Sequence, residues 1–138
     1  MRANVRVGIV LLTLGAFAYS CKDEGDEPTV APPAGPISFA SHVQPIFSGN
    51  CTGCHSAGGS APFSLEAGVS RGNIVNVQAT SSCTSEKRVN PGNSGSSVLY
   101  KKISGTSCGT RMPRGGSPLS QTSIDIVKNW IDEGAADN

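Results

Sequence analysis

The sequence predicts a small helical domain in which short helices are separated by long polar loops. Two apolar stripes at helical spacing indicate helices, one near the start of the domain and one near the end of the chain. The segments between them are rich in turn-forming residues, since the 138-residue chain holds 17 Gly and 9 Pro. A chain of this length suits one folded domain, which we place at residues 37–138.

The opening helix is predicted directly before a pair of closely spaced cysteines. Its apolar stripe consists of Phe39, Val43, Ile46 and Phe47. Because a proline is tolerated only in the first turn of a helix, Pro45 favours a start near Ser41, whose hydroxyl would cap the helix. Gly49 and Asn50 then end or kink it.

The middle of the chain is predicted to carry only short elements. Residues 66–71 fit one helical turn. The apolar run at 74–77 fits an extended segment, although its spacing alone does not exclude a helix. A further short helix, capped by Ser94 or Ser96, would stop at Gly105, because glycine is favoured just after a helix end.

The last helix is the clearest of the predicted elements. Ser120 is its cap, and Leu119 before the cap would pack against Ile124 as a hydrophobic staple. Gly134 ends the helix, and we expect Trp130 to pack in the core. Its apolar stripe consists of Ile124, Val127, Trp130 and Ile131.

Residues 1–20 are predicted to be a secretory signal peptide. Arg2 and Arg6 give a positive start, and the apolar run at 7–18 is shorter than the roughly 20 residues that a membrane span needs. The four residues that end at Cys21 resemble a bacterial lipobox, so we expect Cys21 to be lipidated. The alternative is that Cys21 is removed with the signal or stays a free thiol.

Residues 21–36 are predicted to be a Pro-rich, acidic tether between the lipid and the domain. The run Lys22 to Glu27 resembles an export signal to the outer cell surface, or is simply a solvated charge run. From Ile37 onward eight Lys/Arg face six Asp/Glu, so nothing indicates a nucleic-acid partner.

The strongest chemical signal is the run Cys51-Thr52-Gly53-Cys54-His55. C-x-x-C-H is the attachment pattern of c-type haem. Two thiols at this spacing can add to the two vinyl groups of one haem, and His55 can then reach the iron from one face. A thioredoxin-like site would need a βαβ context, and a zinc site would need a second pair of ligands, so both alternatives are weak.

Met112 is the candidate for the sixth coordination position of the iron. It is the only Met outside the signal peptide, and Pro113 would stiffen its loop. Filling an apolar gap is the alternative role. His42 is the rival ligand, although a lone His is more often a surface residue.

Four further side chains complete the predicted site. Arg111 and Arg114 flank Met112, where they would pair with haem propionates or face an acidic partner. Cys83 and Cys108 remain once the other cysteines are assigned, so we expect them to form a disulfide, as is usual for exported proteins. This bridge would hold the middle segment against the Met112 loop.

With these residues placed, the chain resembles the cytochrome c family, and more closely the short single-haem domains known as Planctomycete-type cytochrome C. The resemblance runs from about Phe39 to Ala135. It implies an all-α fold of three to four short helices and long loops wrapped round one covalent haem, with His55 and Met112 as axial ligands. The stretches that carry it are 43–47, 51–55, 90–92 with 97–101, and 111–113 before 126–135.

The expected function is one-electron transfer in the bacterial cell envelope, with haem c held by Cys51 and Cys54, and no enzymatic activity. The protein would be a membrane-anchored lipoprotein, periplasmic or facing the cell surface. It would act as a monomer or as a subunit of a redox complex, and its partners would be other redox proteins. The alternative is a peroxidase-like haem enzyme, or a redox or gas sensor, with an open sixth position.

Overall fold

The computed structural model describes residues 33–138. The predicted signal peptide (1–20), the predicted lipidation site Cys21 and most of the predicted tether (21–36) lie outside these residues. Among the residues that are described, no helix is both long enough and apolar enough to cross a membrane.

Residues 33–138 contain four short α-helices and no β-strand. The α-helices are α1 (Gln44–Asn50), α2 (Ser70–Ile74), α3 (Val98–Ser104) and α4 (Gln121–Asp132). A π-helical turn at Phe39–Val43 leads into α1, and a 3-10 turn at Ser94–Ser96 precedes α3. This part of the chain is therefore helical with long loops, in agreement with the predicted all-α class.

The opening helix begins earlier than predicted, so the start near Ser41 is wrong. Ser38 is the cap, because its hydroxyl accepts the Ser41 N–H at 3.2 Å. The chain then completes a π-helical turn before α1. Pro45 lies in the first turn of α1, directly after the π-helical turn.

The helical turn predicted at 66–71 is present. The Ser70 N–H donates to the Glu66 carbonyl at 3.0 Å, and α2 continues from Ser70 beyond the predicted turn. The apolar run predicted at 74–77 is extended only in part, because Ile74 ends α2 and Asn76 has a left-handed φ of 58°. Val75 pairs with Val89 in an isolated parallel bridge, and Gln78 pairs with Lys87 in an antiparallel one.

The predicted helix after Ser94 is divided in two. The Asn93 side chain accepts the Ser96 N–H at 3.0 Å and caps the 3-10 turn, whereas α3 has no side-chain cap. The predicted end is correct, because Gly105 adopts a left-handed conformation (φ 73°) directly after α3.

The core forms where α4 crosses the opening helix. Trp130 is 1% exposed, and its ring centre lies 5.1 Å from that of Phe39. Ser120 caps α4 by accepting the Ser123 N–H at 3.2 Å, Leu119 is buried beside it, and Gly134 follows the helix end, all as predicted. Residues Ile124, Val127 and Ile131 of the predicted stripe are likewise buried.

Candidate functional site

The C-x-x-C-H segment is a tight turn that continues directly from α1. The N–H groups of Cys51 and Thr52 both donate to the Phe47 carbonyl, at 2.8 and 3.2 Å. The N–H of His55 donates to the Cys51 carbonyl at 2.8 Å. The turn therefore presents two thiols and one imidazole from five consecutive residues.

The imidazole of His55 is oriented by the loop that follows it. Its Nδ1 lies 3.1 Å from the Phe63 carbonyl, and its ring centre lies 4.7 Å from that of Phe63. The Leu65 N–H donates to the His55 carbonyl at 2.7 Å. With Nδ1–H donating to the carbonyl, Nε2 keeps its lone pair, and metal-binding histidines are commonly held in this way.

Gly59 allows the loop to pass close to the motif. The Ala61 N–H donates to the Cys54 carbonyl at 3.1 Å. A Cβ atom at Gly59 would lie 2.2 Å from that same carbonyl oxygen, which is closer than real Cβ contacts come. The close approach of this loop to Cys54 therefore requires glycine at position 59.

Glu66 closes the loop on itself. One of its carboxylate oxygens accepts the Ala57 N–H at 2.7 Å and the Ser64 hydroxyl at 2.8 Å. These bonds stabilise the ionised form, led by the bond from Ala57, and they hold the pKa of Glu66 below its usual value. The two ends of the loop are thus tied by one carboxylate.

The two thiols of the motif are not joined to each other, and their surroundings differ. Cys54 is exposed, whereas Cys51 is partly buried and packs against the core. Burial disfavours the thiolate and raises the pKa of Cys51 to about 11. Cys54 is therefore the more accessible of the two nucleophiles.

Met112 is held by α3. Its N–H donates to the Lys102 carbonyl at 2.9 Å, and its side chain is partly buried. None of the hydrogen bonds within residues 33–138 joins Met112 to residues 51–55. Arg111 is partly buried and Arg114 is exposed, and neither makes an ion pair inside the same range.

His42, the rival ligand candidate, makes a hydrogen bond within the opening helix. Its Nδ1 accepts the Ser38 N–H at 2.9 Å, so the ring helps to fix the start of the π-helical turn. This contact gives His42 a structural role, although the sequence offered it as a ligand candidate.

Cys83 and Cys108 form a disulfide, as the sequence predicted, with 5.5 Å between their Cα atoms. Glu86 lies beside them, with its carboxylate 3.8 Å from the Cys108 sulfur. Because both sulfurs are taken up by the disulfide, these three residues do not form a metal site in this structure.

Two side chains of the site were not identified from the sequence in the roles they take. Phe63 orients His55 through its carbonyl and its ring. Arg88 stacks on the Phe63 ring. Phe63 follows His55 by eight residues, so the sequence places it in the same loop. Arg88 lies 25 residues further along the chain, and no nearby motif indicates that it belongs to the site.

Comparisons of the chain with protein-family models, with curated proteins and with solved structures find no match. The assignment of a function therefore depends on the chemistry of the site.

Proposed function

We propose that this protein is a c-type cytochrome of the cytochrome c family, a carrier of single electrons in the bacterial cell envelope. The observation that supports this most strongly is the hydrogen bond between His55 Nδ1 and the Phe63 carbonyl, beside two unpaired thiols. When bound, haem c supplies a one-electron iron couple, which none of the side chains offers on its own.

The residues present fit a covalently attached haem. Cys51 and Cys54 are free to form the two thioether bonds, since neither is used in a disulfide. His55 would ligate the iron through Nε2, because its Nδ1 is engaged by the Phe63 carbonyl. The turn after α1 would hold all three groups, and the Phe63 carbonyl would fix which nitrogen faces the iron.

Met112 is proposed to fill the sixth position. A thioether favours ferrous iron and raises the reduction potential. The Met112 backbone is anchored to Lys102, whose Nζ also donates to the Cys108 carbonyl at 2.7 Å, so the loop is tied to α3 and to the disulfide. Arg111 and Arg114 would then be available for the haem propionates or for an acidic partner.

The remaining parts of the proposal concern location and partners. A lipid on Cys21 and a Pro-rich tether would keep the domain near a membrane, where it could exchange electrons with other redox proteins. Both features come from sequence patterns at residues 1–36.

The first experiment is to produce the protein in a host with c-type haem attachment machinery. We expect a mass increase of one haem, which Cys51→Ser with Cys54→Ser abolishes. A wild-type product with no covalent haem would overturn the proposal.

The second experiment compares optical spectra of wild type and Met112→Leu. We expect the ferric wild type to show the weak far-red band of Met/His ligation and the variant to lose it. Leu preserves the apolar volume, so an unchanged spectrum would mean that Met112 only fills space. Ready binding of carbon monoxide to the ferrous wild type would instead favour a haem enzyme or a gas sensor.

A further inference from the structure

Phe63 links His55 to a positive charge. Its carbonyl holds His55 Nδ1, and its ring lies against the imidazole, with 4.7 Å between ring centres. The guanidinium carbon of Arg88 lies 3.9 Å from the centre of the same Phe63 ring. One residue thus contacts both the candidate axial ligand and a stacked cation.

Arg88 is held firmly in this position. Its carbonyl accepts the Leu99 N–H at 2.9 Å, and its guanidinium donates to the Asn73 carbonyl at 2.6 Å. The Asn73 side chain in turn donates to the Ser64 carbonyl at 2.8 Å, next to Phe63. The guanidinium and the loop that carries Phe63 are therefore fixed to each other.

The charge of Arg88 is not neutralised by a carboxylate among residues 33–138. Glu86, the nearest acid along the chain, pairs with Lys101. Partial burial lowers the pKa of Arg88, but a guanidinium stays protonated at neutral pH. Because both groups contact one ring, the guanidinium carbon lies within about 9 Å of the His55 ring centre.

We propose that Arg88 is a positioning residue that acts on His55 through Phe63, and that its charge raises the reduction potential of a haem held by His55. A nearby cation disfavours the ferric state more than the ferrous state, because the ferric state carries one more positive charge. The Arg88 guanidinium also packs on the same Phe63 ring that contacts the imidazole. This inference rests on the proposed function.

The test measures the reduction potential of the haem-loaded wild type, Arg88→Met and Lys87→Met. Arg88→Met removes the charge but keeps an apolar side chain over Phe63. Lys87→Met makes the same change of net charge one residue away, where the Lys87 ammonium contacts the Asn76 side chain instead, at 2.7 Å. We expect Arg88→Met to lower the equilibrium constant for reduction about two- to fivefold, and Lys87→Met to change it less.

A second variant separates charge from stacking and guards against misfolding of Arg88→Met. Arg88→Lys keeps the charge but loses the planar guanidinium and its bond to Asn73. We expect its reduction potential to stay closer to that of wild type than the potential of Arg88→Met does. In a Phe63→Leu background, which keeps the carbonyl but removes the ring, the effect of Arg88→Met should shrink.

The outcomes distinguish this inference from the proposed function. If wild type carries haem but Arg88→Met shifts the potential no more than Lys87→Met, the role of Arg88 is wrong while the cytochrome proposal stands. A shift in Arg88→Lys equal to that in Arg88→Met would also overturn the role of its charge. If wild type attaches no haem, both proposals fail together.

Discussion

The two loops that carry the candidate iron ligands are built in different ways. The His55 loop, residues 51–66, is held mainly by hydrogen bonds between residues at most ten positions apart, such as Leu65 N–H to the His55 carbonyl, with one longer bond from the Gln44 side chain to the Leu65 carbonyl. The Met112 loop, residues 105–118, depends on α3 and on a disulfide to a segment 25 residues away in sequence. The difference between the two loops is therefore the covalent cross-link: hydrogen bonds and packing hold the first, and the second is also tied by a disulfide to a distant segment.

This difference indicates which ligand position is the more robust. Contacts between near neighbours lose little chain entropy on forming, so the His55 loop can order early and independently. We expect the Met112 loop to order fully only when its disulfide to the middle segment has formed. The first change below tests this contrast between the two loops, and the others test what holds the His55 loop.

The largest expected effect is removal of the disulfide. Cys83→Ser with Cys108→Ser opens a loop of about 26 residues, which should cost about 3.5 kcal/mol in the free energy of unfolding on the chain-entropy model. Urea unfolding measures this loss. Hydrogen exchange should accelerate at the Met112 amide while the Leu65 amide stays protected, and equal acceleration at both would contradict the contrast.

Gly59→Ala should perturb the His55 loop instead. The added Cβ meets the Cys54 carbonyl oxygen at 2.2 Å, and relieving this overlap should cost about 2 kcal/mol. Thermal unfolding and the yield of covalent haem are the readouts. Gly53→Ala is the matched control, because a Cβ there meets nothing within 4 Å. Equal losses in both variants would show that the contact with Cys54 is not the cause.

The two motif thiols should differ in reactivity in the chain produced without haem. Burial raises the pKa of Cys51 to about 11, so its thiolate is scarce at pH 8. Allowing for the greater nucleophilicity of a more basic thiolate, we expect Cys51 to react with iodoacetamide about tenfold more slowly than an ordinary exposed thiol. Peptide mass mapping over time measures both rates. Faster labelling of Cys51 than of Cys54 would disprove the assigned burial.

The smallest expected effect concerns Glu66. Because its folded-state pKa lies below its ordinary value of 4.5, its stabilising contribution is present above that value and is lost as the pH falls through the folded-state pKa. We expect the Ala57 amide resonance to titrate with Glu66 below pH 4.5 in NMR spectra. Glu66→Gln should remove that titration, and its persistence would assign it to another group.

Several features of the fold were predictable because their causes are local. The cap at Ser120, the stripe that places Trp130 in the core and the glycine that ends α3 each follow from residues within a few positions of one another. The start of the first helix was mispredicted by choosing the wrong serine, since Ser38 and Ser41 are both good caps. Local pattern alone does not decide between two such neighbours.

The sequence by itself determined the motif Cys51 to His55 and the pairing of Cys83 with Cys108, because residue type, spacing and cysteine number suffice for both. Only the tertiary structure decided how His55 is oriented. Phe63 contacts His55 because the loop between them passes close to Cys54 at Gly59. Arg88 contacts Phe63 from a segment 25 positions further along the chain. The physical reason is that the contacts of a side chain across a loop depend on how the whole chain folds. The spacing of residues along the sequence does not contain that information.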